Sequence, residues 1–194
     1  IPTRQEEDCE ASERKSKNNF ETPLFPVKGA IFDLDQTLVD SSLADEKRKK
    51  GLWEEVYELI PHFTVYPGIV EALTAIREKG INVCIVTSSP SIYCGKVLGH
   101  FGIPHDFKVC YHDTERRKPD PQPFEKALSQ MGLNAEDVFA FGDKAEDAIG
   151  ASGAGIDNAA CVWGIDEYKK NSALEKHAQY VLSDPSGILR CLGL

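Results

Sequence analysis

Val27-Lys28-Gly29-Ala30-Ile31-Phe32 runs straight into Asp33-Leu34-Asp35-Gln36-Thr37-Leu38. An apolar run of strand length, closed abruptly by two carboxylates, reads as a strand buried on both faces whose end carries polar chemistry. Four more runs of that kind follow, at residues 83–86, 107–110, 138–141 and 160–163. Helical patterns separate them. Ile69, Leu73 and Ile76 recur at i, i+4, i+7 between Pro67 and Gly80. Ile92, Val97 and Phe101 lie between Ser89-Pro90 and Gly102, and Phe124, Ala127, Leu128 and Met131 between Pro123 and Gly132. Ala145, Ala148 and Ile149 follow Asp143, and Ser172 with Glu175 has the spacing of a capping box. Proline before and glycine after a periodic segment is the expected helix punctuation. Strands alternating with helices predict an α/β fold with a mostly parallel sheet covered on both faces.

In such sheets the chemistry collects at the carboxyl ends of the strands. The first run ends in Asp33 and Asp35, the second in Thr87-Ser88-Ser89, and the fourth in Gly142-Asp143-Lys144. Lys118 sits in a loop before the fourth, within Arg116-Arg117-Lys118-Pro119-Asp120-Pro121. Taken singly, an acidic turn, a helix cap with proline at its first position, and a solvated base each explain one piece. Their convergence on one sheet edge points to attack on phosphorus. A carboxylate can accept a phosphoryl group as an acyl phosphate that water then cleaves. A hard cation such as Mg²⁺, held by oxygen ligands, relieves the repulsion between carboxylates and phosphate. Lys118 would neutralise a phosphate oxygen, and Thr87 with nearby amides would bind others. A second carboxyl two residues after the nucleophile can protonate the leaving oxygen and later activate water.

The set resembles the haloacid dehalogenase (HAD) superfamily of phosphohydrolases over about residues 27–185. That resemblance implies a Rossmann-like three-layer sandwich with a small helical cap insert. It implies Asp33 as nucleophile, Asp35 as general acid/base, Thr87 and Ser88 as phosphate binders, and Lys118 as the phosphate-binding lysine. It also implies Mg²⁺ held by Asp33, Asp143 and the backbone carbonyl of Asp35, with Asp147 and Thr37 in support. Gln36 replaces the glycine frequent in the first motif. Lys144 replaces a small hydroxyl residue and is read as pointing to solvent, with tuning of phosphate binding as the alternative. A phosphatase is therefore the expected function. A dehalogenase is disfavoured by the presence of Asp35, and a phosphotransferase or phosphomutase by the short insert. A non-catalytic phospho-accepting signalling or scaffold domain is the remaining alternative.

The 194 residues suffice for one domain, with residues 1–25 read as a disordered tail or linker, 26–194 as the hydrolase domain and 40–66 as the insert. Leu52, Val56, Leu59 and Ile60 predict a single insert helix ended by Pro61, and the basic run at residues 47–50 is read as a solvated face, with steering of an anionic substrate as the alternative. So small an insert leaves the site open, to be covered by a larger substrate such as a phosphoprotein or polynucleotide end or by a second subunit of a homo-oligomer; a small phosphorylated substrate handled with low selectivity is preferred. The net charge of −9 disfavours duplex nucleic acid, and no apolar stretch approaches membrane-spanning length. The five histidines show no zinc spacing, and the six cysteines, none in a CxxC pair, read as reduced thiols of a cytoplasmic protein. The polar start, Ile1 to Glu10, does not read as a signal peptide, and a first residue other than Met leaves room for a missing upstream region.

Overall fold

The computed structural model describes residues 26–164 and 172–194. The expected tail at 1–25 lies outside them, and so do the side chains of the expected Ser172/Glu175 cap. Six strands form one sheet in the order β5-β4-β1-β6-β7-β8, every neighbouring pair parallel. They are β1 (Gly29–Phe32), β4 (Asn82–Val86), β5 (Phe107–Val109), β6 (Val138–Gly142), β7 (Asp157–Cys161) and β8 (Tyr180–Leu182). Two short strands, β2 (Val39–Asp40) and β3 (Thr64–Val65), pair antiparallel at the base of the insert.

β1 is central because it is buried on every face. Its four residues read buried without interruption, and Phe32 stacks on Phe141 of β6 with centroids 4.8 Å apart. One side of the sheet packs on α3 (Ile69–Glu78) and α4 (Ser91–Phe101), through Leu73, Ile76, Val97 and Leu98 among others. The other packs on α5 (Gln122–Met131) and α6 (Ala145–Gly153), where Phe124, Ala127 and Ala151 meet Ile31 and Val86. A third cluster joins α6 and β7 to α7 (Ser172–His177), and α8 (Gly187–Cys191) closes the chain. The chain leaves β1 toward β4 and β5, then crosses back to β6. β1 therefore borders the topological switch point, where ligands gather in open α/β sheets.

Several expectations shift in detail. The strand placed at 160–163 lies at Asp157–Cys161, and β2, β3 and β8 were not foreseen. On α4 the buried face is Tyr93, Cys94, Val97 and Leu98, while Ile92 is exposed. Pro90 is the N-cap of α4 rather than its first residue, and Ile149 of α6 is exposed. The insert holds two helices rather than one: α1 (Asp45–Lys49) and α2 (Trp53–Leu59), flanked by 3₁₀ turns at Ser42–Ala44 and Ile60–His62. Leu52 precedes α2 and is exposed. Val56, Ile60 and Phe63 belong to the same core as the sheet, and Trp53 and Phe63 both pack on the fully buried ring of Tyr93.

Candidate active site

Asp33 directly follows β1, Thr87 follows β4 and Asp143 follows β6, three neighbouring strands delivering side chains to one edge. Asp33 is held there by its own amide, which donates to the Phe141 carbonyl at 2.9 Å. The chain then turns back on itself: Gln36 N–H donates to the Val39 carbonyl at 2.8 Å, and Trp163 Nε1 donates to the Thr37 carbonyl at 3.0 Å. This turn explains the glycine preference at position 36. Gln36 has φ of 67°, the left-handed region that costs an L-residue roughly 1–2 kcal/mol. Its side chain gains a partner in return, accepting from Tyr66 Oη at 3.0 Å.

Lys118 arrives from the loop between β5 and α5 with its side chain 5% exposed. Its Nζ donates to Asp33 Oδ1 at 2.6 Å, Asp147 Oδ1 at 2.5 Å and the Val86 carbonyl at 3.0 Å. Three acceptors use all three ammonium protons. Burial alone would pull the lysine down, but the two carboxylates outweigh it and hold Lys118 above its ordinary value. Asp147 stands in the first turn of α6, where its Oδ2 also accepts the Lys144 amide at 3.0 Å. Gly142 makes that position available: a Cβ there would lie 2.4 Å from the Asp147 Cβ.

One carboxylate oxygen each from Asp33, Asp143 and Asp147 falls within 4.8 Å of the others. All three residues are buried. Among the described residues Asp143 has one weak hydrogen-bond partner, the Thr37 hydroxyl at 3.3 Å. Burial, then repulsion from Asp33 and Asp147, pushes Asp143 well above the usual carboxylate range. Asp33 is also raised, by burial first, with Lys118 opposing and Asp147 adding. Three buried acids against one buried lysine leave negative charge uncompensated. An all-oxygen donor set with surplus negative charge fits Mg²⁺, and nothing in it favours zinc. Asp35 contributes no side-chain oxygen to this cluster.

A pH dependence follows. The native state binds more protons at Asp33 and Asp143 than the unfolded chain does. Stability of the metal-free protein therefore falls as pH rises from the ordinary carboxylate value through the raised ones. A cation that replaces those protons stabilises more at the high end of that window. Melting curves from about pH 4 upward, with chelator and with Mg²⁺, are expected to diverge as pH rises. Parallel curves would count against the cluster as a metal site.

The Asp35 carboxylate is surrounded by donors instead. Its Oδ1 accepts from Ser41 Oγ at 2.6 Å and Tyr93 Oη at 2.5 Å, and pairs with Arg48 Nη1; its Oδ2 accepts from Ser89 Oγ at 2.9 Å. Thr87 Oγ1 accepts the Ser89 amide at 3.1 Å, and Ser88 is exposed beside it. These groups open on a cavity of about 660 Å³ lined by Asp33, Asp35, Arg48, Thr87, Ser88 and Lys118.

All the sequence-predicted residues meet at this edge, with two corrections. Lys144 is exposed, but it lines the cavity, and Asp33, Asp143 and Asp147 together outweigh its partial burial and raise it. It belongs to the field of the site rather than to solvent alone. The basic run is not one solvated face. Lys47 pairs with Glu55 and Lys49 with Glu46, whereas Arg48 turns inward to Asp35. Arg48, Ser41, Ser89 and Tyr93 were missed as site residues. The signal available for Arg48 was a lone arginine among lysines, the residue type suited to buried carboxylate pairing.

A family model described as haloacid dehalogenase-like hydrolase matches residues 43–155. The pyrophosphatase PpaX of Halalkalibacterium halodurans is 29% identical over 133 residues, covering 66% of this chain and 60% of that protein. A phosphoglycolate phosphatase of Vibrio cholerae is 31% identical over 140 residues, covering 69% of this chain and 62% of that one. The match thus spans about three fifths of these relatives' length. The crystal structure of CbbY from Rhodobacter sphaeroides in complex with phosphate superposes with a TM-score of 0.73 at 16% identity, covering 87% of this chain and 100% of that one. At that identity the likeness speaks for the fold.

Proposed function

The chain belongs to the haloacid dehalogenase-like hydrolases, and from that premise we propose that it is a Mg²⁺-dependent phosphatase acting on a small phosphomonoester through a phosphoaspartyl intermediate. The observation that carries the reading is the Asp33–Lys118–Asp147 chain, set beside Asp143 at the floor of an open cavity. A buried lysine against an acid at a strand end is a phosphate seat built next to a nucleophile.

In the first half-reaction an Asp33 carboxylate oxygen bonds to phosphorus while the bond to the leaving oxygen breaks. Asp35 gives that oxygen a proton. In the second, water attacks the acyl phosphate, Asp35 takes the water's proton, and the Asp33–phosphorus bond breaks to release orthophosphate. Lys118 and Thr87 hold the phosphoryl oxygens throughout, with Ser88 beside them. Bound Mg²⁺, held by Asp33, Asp143 and the Asp35 carbonyl, would supply the positive charge that lets a phosphate dianion approach these acids. Asp147 keeps Lys118 aimed, and Thr37 does the same for Asp143.

Hydrolysis is favoured over phosphoryl transfer to a second substrate by the insert. Two short helices are little to exclude water or to hold an intermediate while it turns over. We assign the protein to the cytoplasm, a reading supported by five buried free cysteines among the described residues. No described helix is long and apolar enough to cross a membrane.

Phosphate release from a panel of aryl and alkyl phosphates tests the function. Activity is expected to vanish with chelator and return with Mg²⁺; full activity after exhaustive chelation would defeat the metal reading. Asp35→Asn is expected to slow alkyl esters by about 10²–10⁴-fold and aryl esters far less, because a phenolate leaves with little protonation. Equal slowing of both classes would remove Asp35 from the acid role.

A further inference from the structure

Arg48 is the unexplained cation of the site. It comes from the insert, its side chain is only 15% exposed, and it pairs with the carboxylate we assign to the leaving group. Oδ1 of Asp35 receives three donors, Ser41, Tyr93 and Arg48. A carboxylate oxygen offers two lone-pair sites. Ser41 and Tyr93 fill both at 2.6 and 2.5 Å, and Ser89 serves Oδ2 at 2.9 Å. Arg48 is therefore the surplus donor. If its guanidinium leaves, Asp35 remains hydrogen-bonded by three hydroxyls, Tyr93 Oη gives up a long 3.4 Å contact, and the charge partner lost at the buried carboxylate is replaced by the proton its acid role requires.

The remaining contacts of Arg48 keep it within reach of the cavity. Nη2 pairs with Asp45, which is 44% side-chain exposed, and the guanidinium lies 5.8 Å from the centre of the Tyr93 ring. Asp45, Lys49 and Trp53 line the cavity beside it. Lys118 and Lys144 lie among Asp33, Asp143 and Asp147, on the side of the transferred phosphoryl group. Among the described residues, Arg48 and Lys49 are thus the cations that line the cavity on the side of the leaving group.

We infer that Arg48 is a specificity-determining residue that exchanges its contact with Asp35 for a second anionic group, a carboxylate or phosphate, on the leaving portion of the substrate. The inference rests on the proposed role of Asp35 at the leaving oxygen. It names a substrate class: small phosphomonoesters whose alcohol carries its own negative charge. Selection is by charge rather than by enclosure, which suits a site with so small an insert. The exchange also clears the approach to Asp35, since a guanidinium parked on Oδ1 stands where the leaving oxygen must come.

The test uses a matched pair, ethyl phosphate and carboxymethyl phosphate, which differ by one carboxylate. Binding is measured by calorimetry in Asp33→Asn protein, so that no turnover is required. Carboxymethyl phosphate is expected to bind about 10–100-fold more tightly, the range of one charged hydrogen-bonded contact. Adding Arg48→Gln is expected to erase that preference. Arg48→Lys, which keeps the charge but loses the planar fork, is expected to retain part of it and serves if the glutamine variant does not fold.

In otherwise wild-type protein, Arg48→Gln is expected to lower kcat/KM for carboxymethyl phosphate by a larger factor than for ethyl phosphate. Equal binding of the two esters, a preference that survives Arg48→Gln, or an equal fall on both esters would overturn the inference. If binding behaves as expected but the wild type releases no phosphate from either ester, the phosphatase reading fails and the anion contact stands.

Discussion

Asp33→Asn is expected to lower kcat by roughly 10⁴–10⁶-fold, the scale of losing a covalent nucleophile. The amide keeps the shape of the carboxylate but is a poor nucleophile and carries no charge. Its neighbours make the fold tolerant of the change. The variant loses one acceptor of Lys118, which retains Asp147 at 2.5 Å and the Val86 carbonyl at 3.0 Å. It also loses a charge that repels Asp143. These effects oppose each other, so Tm is expected to move by no more than about 4 °C. Phosphate release from an aryl phosphate, with a second purification step to exclude contaminants, gives the rate, and calorimetry gives Tm. A variant within tenfold of wild type would remove Asp33 from the nucleophile's role.

Lys118→Met is the second large effect, and it should strike stability and rate together. The ammonium is the partner of two buried carboxylates, and a third, Asp143, lies alongside. Methionine fills similar space and leaves those acids facing one another. Removing one partner of a buried ion pair costs about 3–5 kcal/mol, because the remaining charge stays uncompensated. For a chain of this length that is about 6–20 °C in Tm. The same ammonium faces the place of the transferred phosphoryl group, and losing such a donor costs about 10²–10³-fold in kcat. Low pH should return part of the lost stability, since protonating Asp33 and Asp143 removes part of that repulsion. A variant as stable as wild type at neutral pH would show that the lysine is not the counter-charge described here.

The central strand and the residues at the strand ends were legible because their signals are local. Residues 29–32 are uniformly apolar, and Asp33, Thr87, Lys118 and Asp143 follow strands or precede helices that periodicity and Pro/Gly punctuation can locate. What escaped detection depends on pairing across the chain. β7 begins with Asp157 and Asn158, polar residues that an apolar-run criterion discards. Asn158 is buried because its amide donates to Gln179 Oε1 at 2.8 Å and its Nδ2 to Ser152 Oγ at 2.9 Å. α1 consists of Asp45, Glu46, Lys47, Arg48 and Lys49, with no apolar residue to give it a period. That one of the five turns inward is decided by Asp35, Ser41 and Tyr93, which lie 13, 7 and 45 positions away in sequence. The left-handed turn at Gln36 was visible only as a departure from a motif, and its reason became clear once φ was known.

The packing of the insert bears on kinetics. Where a separate lid must swing shut, its opening or closing often limits turnover, and such large displacements push solvent aside. In this protein Val56, Ile60 and Phe63 sit in the same core as the sheet, and Trp53 and Phe63 flank the buried Tyr93. Moving the insert as a body would tear that core open. Only side chains such as Arg48 have room to rearrange. Turnover at saturating substrate is therefore expected to be indifferent to solvent viscosity: kcat in sucrose should follow the rate in buffer, leaving the chemical steps themselves as the clock.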